Sequence, residues 1–477
     1  MKERDIPLEI WLLIFQYATY IPESTSVQPL DPFQPSRFPR TAMGANTPVL
    51  SMKTKCSLVL VCRSWRQIAT ELLYEHLVIR SFRRAVQVLL ALRSSLRTVT
   101  INGIDAIVSE YGQWVKHIEI HTQSRAAESN RFAESLFRVF QVCPNVRILS
   151  GTWGGALPRW LIAAIPRFYG PKLQLLHWDS LSYALRSTNL CTLTPEFLTA
   201  FQSLRTLDMR KFGGWTPADY GRSNLALPRL SHLLLTTNET TLRTATSLVL
   251  PSLSHVILEV PFFHPMPMHL WNFDDSDTMF TPLNREQLQA FLAAHGLKIS
   301  SLELLSSPMY LSADETNPDA PLSIALPFHR LNIVCFLLPG VCPNLRDLVF
   351  CVHEHVIDVK VLPEPHLSLR RIGLRGVSGE AISPERINRS QAVNHLYSFR
   401  RKHFPSLEVI RTLGFYGDAM EQGTLDVFIH WTECFEKRGV DFQDGEGVVW
   451  LWTDDEDEGE QTLEKAAERL DLANNMV

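Results

Sequence analysis

The sequence has no Cys-x-x-Cys pair, although its 477 residues include eight cysteines. Scattered cysteines, such as Cys62 in LVLVCRSW, favour free thiols in a reducing compartment over a disulfide framework. The formal net charge is -4, so the strong basic field that binds a phosphate backbone is lacking. The longest apolar runs, such as IVCFLL at 333–338, fall far short of the roughly 20 residues of a membrane span. We therefore expect a cytoplasmic or nuclear protein that binds neither nucleic acid nor membrane.

Sequence motifs of catalysis are also lacking. There is no P-loop, GxSxG or HExxH pattern, and GTWGGALP at 151–158 does not have the GxGxxG spacing of a dinucleotide site. Cys351, His353 and His355 alternate in CVHEHV, but alternate residues of a strand lie roughly 6–7 Å apart, too far to share one zinc ion without a turn. We expect no catalytic residue, no metal and no cofactor. An enzyme is the least favoured of three function classes.

The chain is rich enough in apolar residues to fold. A hydrophobic fraction of 45% and a charged fraction of 20% are typical of globular proteins. A length of 477 residues predicts two or three domains, or one elongated repeat array.

The first apolar segment, IPLEIWLLIF at 6–15, predicts a short helix that is apolar on most of its circumference. One stripe at helical spacing comprises Ile6, Ile10, Leu13, Ile14 and Tyr17. The rest of the circumference carries Leu8, Trp11, Leu12 and Phe15. Such a helix needs two burial surfaces, one in its own domain and one on a partner.

Residues 21–51 interrupt this pattern. They are rich in Pro, Ser and Thr and have no periodicity, which predicts an extended or disordered insert. Helical spacing resumes at Lys53 and continues to Tyr74.

The two helical segments, IPLEIWLLIFQYAT and LVLVCRSWRQIATELLYEHLVI, together resemble the F-box, particularly that of the expanded fungal F-box family. The family pattern is Leu-Pro-x-Glu with apolar helix positions, followed by Leu-x-x-Val-Cys-(Arg/Lys)-x-Trp. The matching positions are Pro7, Glu9, Ile10, Ile14, Leu58, Val61, Cys62, Arg63 and Trp65. Ile6 replaces the usual leucine, and the long insert departs from the compact form of the family.

The resemblance implies that residues 1–80 bind the Skp subunit of a cullin-based ubiquitin ligase. The residues implied to bind Skp are Ile6, Pro7, Leu8, Ile10, Trp11, Ile14, Leu58, Val61, Cys62 and Trp65. Large aromatic anchors such as Trp11 and Trp65 tend to dominate interfaces. The alternative is an ordinary helical cap on the rest of the chain.

A Pro-x-Leu-x-x-Leu-x-Leu unit recurs from about residue 95, for example in CPNVRILSG (143–151), GPKLQLLHW (170–178) and CPNLRDLVF (342–350). Most successive copies begin 23–31 residues apart, near the period of leucine-rich repeats. Two gaps of 46 residues, after Leu253 and after Ile299, each contain a degenerate repeat or an insertion. Helix-like stretches lie between the short apolar segments, which implies parallel strands joined by helical crossovers.

We therefore predict an α/β fold in which the N-terminal helical F-box module is followed by a leucine-rich-repeat-like solenoid of short parallel strands and helices. The solenoid occupies 81–452, and 453–477 form an acidic tail that is solvated or meets a basic partner. The alternative is a non-repeat α/β protein with coincidental leucine motifs. The leucine positions predicted to be buried are Val146, Leu149, Leu173, Leu176, Leu204, Leu207, Leu230, Leu233, Leu345 and Leu348.

The positions between these leucines are predicted to point outward and to offer a surface to a protein target. Candidate target-binding residues are Arg147, Arg205, Asp208, Arg346 and Asp347. The favoured function is a substrate-recruiting adaptor of a Skp–cullin–F-box ubiquitin ligase. The second is a leucine-rich interaction scaffold that is not coupled to ubiquitination.

Overall fold

The computed structural model describes residues 6–21, 26–29, 31–34, 47–101, 104–122, 129–153, 158–179, 195–210, 225–260, 285–306, 331–353, 355–384, 390–415 and 422–451. The predicted acidic tail at 453–477 lies outside these residues. In the described part of the chain, no helix combines the length and apolar character needed to cross a membrane.

Three helices form the N-terminal module: α1 (Leu8–Ala18), α2 (Pro48–Val61) and α3 (Arg63–Glu75). They pack around a small core of their own, in which Phe15, Ile68 and Leu72 are buried. Helix α2 begins at Pro48 and not at Lys53 as predicted. Proline suits the first turn of a helix, and the Thr47 hydroxyl caps it by accepting a hydrogen bond from Leu50 N (3.2 Å).

The other helices alternate with strands along the chain. They span Phe82–Arg93, Glu110–Trp114, Ser129–Val142, Arg159–Tyr169, Pro195–Thr199, Glu239–Ser247, Arg285–His295, Val334–Leu337, Gly379–Ile382, Gln391–Ser398 and Gln422–Glu436, with short 3-10 turns at Gly296–Lys298 and Val359–Val361. Their buried side chains join those of the strands in one long hydrophobic core.

The strands are β1 (His76–Ile79), β2 (Leu96–Ile101), β3 (Ile104–Ser109), β4 (His117–Thr122), β5 (Ile148–Trp153), β6 (Leu175–Asp179), β7 (Thr206–Asp208), β8 (Leu225–Ala226), β9 (His232–Thr236), β10 (Leu248–Val249), β11 (His255–Val260), β12 (Ser301–Ser306), β13 (Leu331–Asn332), β14 (Asp347–Cys351), β15 (His355–Val356), β16 (Arg371–Arg375), β17 (Val409–Leu413) and β18 (Asp441–Gln443). Twelve of them form one parallel sheet in the order β1-β4-β5-β6-β7-β9-β11-β12-β14-β16-β17-β18. Sequential parallel strands joined by helices make this a solenoid-like α/β fold.

The leucine pattern follows from the register of this sheet. Leu149 pairs with Leu176, Leu176 with Leu207, and Leu207 with Leu233. Because side chains alternate between the two faces of a strand, these leucines share the face covered by the helices. All ten positions predicted to be buried are at most 1% exposed, which confirms that prediction.

The strand pairing moves one predicted boundary and decides between the two alternatives left open for the 46-residue gaps. Strand β1 belongs to the large sheet, since His76 pairs with His117, so the repeat array begins at His76 and not at Ser81. The two 46-residue gaps contain insertions and not hidden repeats. Strand β11 pairs directly with β12, and β12 pairs directly with β14, so no further strand of the sheet fits between them.

The insert predicted at 21–51 to be extended or disordered ends earlier than predicted, because helix α2 begins at Pro48, and part of it packs on the sheet. We call residues 26–29 and 31–34 the crossing segment; it lies against the sheet, where Phe33 is buried. A segment rich in Pro, Ser and Thr stays disordered when it buries too little apolar surface. Phe33 buries its ring against residues that are distant in sequence, and composition does not reveal such contacts.

Candidate protein-binding surfaces

The first candidate surface is the outward side of helix α1. Ile10, Leu13, Ile14 and Tyr17 are between 43% and 55% exposed, whereas Phe15 on the opposite side is buried. The helix therefore has the two apolar sides that its sequence predicts, and only one of them packs into the module. A cluster of large apolar side chains exposed on a protein surface often marks an interaction site.

Three residues predicted to bind Skp are half-buried and also contact the module's own core. Trp11, Leu58 and Trp65 pack against the buried cluster around Phe15. The Trp65 ring lies 5.0 Å from the Trp11 ring and 4.8 Å from the Phe15 ring, measured between centroids. These aromatic contacts stabilise the module. A substitution of Trp65 would therefore destabilise the fold, and a loss of Skp binding in that variant would not identify a binding residue.

The remaining predicted residues differ in exposure. Pro7 and Val61 are exposed, Ile6 is half-buried, and Cys62 separates α2 from α3. The Cys62 sulfur accepts a hydrogen bond from Trp65 N (3.4 Å), so the cysteine caps α3. The prediction omitted Leu13 and Leu60 from the binding residues, although both are exposed. Leu13 lies three residues after Ile10, and this helical spacing places both on the same side of α1.

The second candidate surface is the strand face, which we define as the side of the 12-stranded sheet opposite the helix-covered core. Asp208 of strand β7 lies on it and is buried. Its carboxylate accepts hydrogen bonds from His177 Nδ1 (2.6 Å) and from Arg210 Nη2 (2.8 Å). Burial alone would raise the pKa of Asp208, but these two bonds outweigh it and hold the pKa well below its usual range.

Replacing Asp208 by alanine is expected to lower the free energy of unfolding by about 2 kcal/mol at pH 7, because the His177 and Arg210 side chains lose their common acceptor. The cost stays below that of a fully buried pair since Arg210 reaches solvent. Urea unfolding of the variant measures it. Asp441→Ala, at an exposed residue of β18, is the matched control. Equal midpoints for both variants would rule out a stabilising role for this ion pair.

Asp347 is likewise engaged within the protein. Arg371 forks onto its carboxylate, with Nε 2.6 Å from Oδ1 and Nη2 2.8 Å from Oδ2. Both carboxylates are therefore already paired with side chains of the protein itself, and their contact with a target stays a prediction. Cross-strand register brings a cation beside each carboxylate, which the leucine pattern alone does not reveal.

The three predicted arginines lie at the rim of the sheet and not on the strand face. Arg147, Arg205 and Arg346 are exposed, and each precedes its strand by one residue. Each arginine donates its backbone N–H, at 2.8 Å, to a carbonyl oxygen of the neighbouring repeat, and these hydrogen bonds place the arginines in one row. The acceptors are Lys116 O for Arg147, Gln174 O for Arg205 and Ser300 O for Arg346. The prediction missed Arg370, which continues the row through its own bond to Arg346 O (2.8 Å).

A cluster at the start of the sheet has ligand-type side chains. His76, His117 and Glu119 place one donor atom each within 4.8 Å of the others, and zinc accepts imidazole and carboxylate ligands. The two imidazole rings are stacked 4.2 Å apart at an angle of 3°, so a single ion cannot lie in both ring planes. The geometry is that of a hydrogen-bonded cluster, in which His76 Nε2 lies 2.8 Å from Glu119 Oε2.

The same cluster explains the acidity of Glu119. The hydrogen bond from His76, aided by one from His121 and opposed by partial burial, lowers the pKa of Glu119 to about 2. In the CVHEHV segment, His355 is buried and its Nδ1 lies 3.1 Å from Cys351 O. Burial lowers the pKa of His355 to about 4, so it is a neutral core side chain at pH 7.

No protein-family model matches the chain, and no curated protein matches it.

Proposed function

We propose that the chain is a substrate-recruiting adaptor of a Skp–cullin–F-box ubiquitin ligase. The exposed apolar side of α1 binds the Skp subunit, which connects it to the cullin core, and the repeat array binds a target protein. The resemblance of the N-terminal segments to the F-box suggests the partner, and it carries over to this chain as a hypothesis.

One observation carries the proposal. The outward side of helix α1 keeps Ile10, Leu13, Ile14 and Tyr17 exposed although the module has a core of its own. Exposing four large apolar side chains on one short helix is unfavourable in water unless a partner covers them. The array joined to α3 offers a long surface with which a target can be held beside the ligase.

The double variant Ile10→Asp/Ile14→Asp is expected to lose the Skp and cullin subunits in affinity purification from cells, because two charges would have to be buried in the interface. Both side chains are exposed, so the module stays folded. Leu297→Asp/Leu367→Asp is the matched control, at leucines of the array that are 60% and 69% exposed.

The wild-type chain and the control are expected to recover both ligase subunits. Undiminished recovery with the double variant would contradict the proposed Skp surface. Recovery of a target protein without any ligase subunit from the wild type would favour a scaffold that is not coupled to ubiquitination.

A further inference from the structure

The crossing segment is held on the strand face at two points that are far apart in the sheet. Thr206 of strand β7 donates its hydroxyl to Val27 O (2.6 Å). Arg411 of strand β17 donates from Nη1 to Phe33 O (2.7 Å), across 378 residues of sequence. Thr206 belongs to β7 and Gly373, beneath the Phe33 ring, belongs to β16, which lies five strand spacings or about 24 Å away. The two contacts therefore lie on widely separated strands, and the segment crosses the strands.

Phe33 fills a pocket that the sheet provides for it. Its side chain is 5% exposed, with the Arg371 guanidinium carbon 4.5 Å from the ring centroid and that of Arg411 at 6.0 Å. Gly373 forms the floor, since a Cβ there would lie 3.3 Å from Phe33 Cζ and 2.9 Å from side chains of Val349 and Leu413. The two arginine guanidinium groups attract the electron-rich face of an aromatic ring, so the pocket favours an aromatic side chain.

Asp31 fixes the conformation of the residues that enter this pocket. Its Oδ1 accepts a hydrogen bond from Phe33 N (2.9 Å), which closes a turn over Pro32. Its Oδ2 lies 3.7 Å from Arg371 Nη1. The pocket thus meets an acidic residue and, two positions later, an aromatic ring.

The strand face along this path is built for an occupant. Leu234, Ile257 and Val349 occupy equivalent positions of β9, β11 and β14, and they are buried although they lie outside the helix-covered core. Arg411 is also buried, and it forks onto Gln443 Oε1 (3.1 and 2.7 Å) in addition to Phe33 O. Burial lowers the pKa of Arg411, so its guanidinium gains from a nearby carboxylate such as that of Asp31.

We infer that this part of the strand face is the recognition site for a target peptide with an acidic residue two positions before an aromatic one. The crossing segment occupies the site from within the same chain, and a target peptide displaces it. This inference rests on the proposed function in one respect, namely that the array recruits a target. The recognised elements are the acidic side chain at Arg371, the aromatic ring on Gly373 and the peptide carbonyl at Arg411.

An occupant on the same chain competes strongly with an outside peptide. A tethered segment reaches an effective concentration on the order of 1 mM. For an intrinsic Kd on the order of 10 µM, this weakens the apparent affinity of an outside peptide about a hundredfold. Removing the internal occupant is therefore expected to reveal the site.

The test uses the full chain and a fluorescein-labelled peptide with the sequence of residues 24–36, followed by fluorescence anisotropy. Asp31→Ala/Phe33→Ala in the protein is expected to bind the peptide about a hundredfold more tightly than the wild type. Gln34→Ala, at the exposed residue that follows Phe33, is the matched control and is expected to behave as wild type. A second peptide with alanine in place of Phe33 is expected not to bind.

Equal affinity of a folded Asp31→Ala/Phe33→Ala variant and the wild type would overturn the inference and make the crossing segment a structural part of the fold. If the double variant does not fold, Phe33→Leu decides, since it keeps apolar bulk but loses the ring between the arginines. A gain in peptide affinity supports the inference, and no gain overturns it. Skp binding by the same proteins is measured separately, so its failure would contradict the proposed function without affecting the peptide result.

Discussion

Lowering the pH from 6.5 to 4.5 is expected to destabilise the repeat array steeply, because several of its histidines are buried as neutral rings, and three of them are the most deeply buried. His295, His355 and His395 are at most 2% exposed. Each donates one ring N–H to a backbone carbonyl, namely those of Ala245, Cys351 and His355, at 3.0–3.1 Å. Burial deprives the charged ring of its hydration and lowers the pKa of each histidine to about 4.

The direction of the effect follows from proton uptake. The folded pKa lies below the value of about 6.5 for an unfolded histidine, so the unfolded chain binds protons first as the pH falls. The stabilisation is complete above pH 6.5 and is lost as the pH approaches 4, roughly 3 kcal/mol per histidine. The pKa of Glu119 is lowered from 4.5 to about 2. Its contribution to stability is therefore lost only below pH 4.5, outside the range of this experiment.

Urea unfolding at several pH values between 6.5 and 4.5 measures this dependence. His355→Gln is expected to reduce the slope of unfolding free energy against pH by about 1.4 kcal/mol per pH unit, the contribution of one proton. His430→Gln, at an exposed histidine, is expected to leave the slope unchanged. The same slope for both variants would show that His355 takes up its proton equally in the folded and unfolded chain.

The substitution Leu207→Asp is expected to unfold the array. Leu207 is 1% exposed and packs between Leu176 and Leu233 on the helix-covered face of β7. Losing the leucine costs about 2–5 kcal/mol, and burying an unpaired carboxylate adds several more. The sum is comparable to the whole stability of an ordinary domain, about 5–15 kcal/mol.

Arg205→Asp is the control for this substitution, since Arg205 precedes Leu207 by two residues and is exposed. It introduces the same residue at the rim of the sheet and is expected to change the unfolding free energy by no more than about 0.5 kcal/mol. Thermal melting followed by circular dichroism compares the two proteins. A soluble Leu207→Asp variant that melts with the wild type would contradict the assignment of β7 to the core.

The leucine spacing predicts most of the array because burial on one face of a strand is a local property. Val146, Leu173 and Leu345 are buried as the repeated unit requires. Sequence does not reveal what lies between strands, so the 46-residue gaps stayed ambiguous until the pairing of β11, β12 and β14 placed insertions there.

The binding surfaces were harder to predict because they depend on contacts between distant residues. The pattern of α1 indicates two apolar sides, but only the contact of Trp11 with Trp65 shows which side is internal. The ion pairs of Asp208 and Asp347 could not be predicted, because their cationic partners come from other strands or from beyond the strand end. The pocket of Phe33 depends on Gly373, which lies more than 300 residues away in the sequence. No local sequence pattern indicates this contact.

The most direct test of the adaptor proposal is a titration of the purified full chain with the purified Skp subunit by isothermal calorimetry. We expect one-to-one binding with a Kd on the order of 1 µM or tighter, weakened at least about a hundredfold by Ile10→Asp/Ile14→Asp. Leu297→Asp/Leu367→Asp is expected to bind as the wild type does. A wild-type chain that binds no Skp at concentrations on the order of 100 µM would contradict the proposed function.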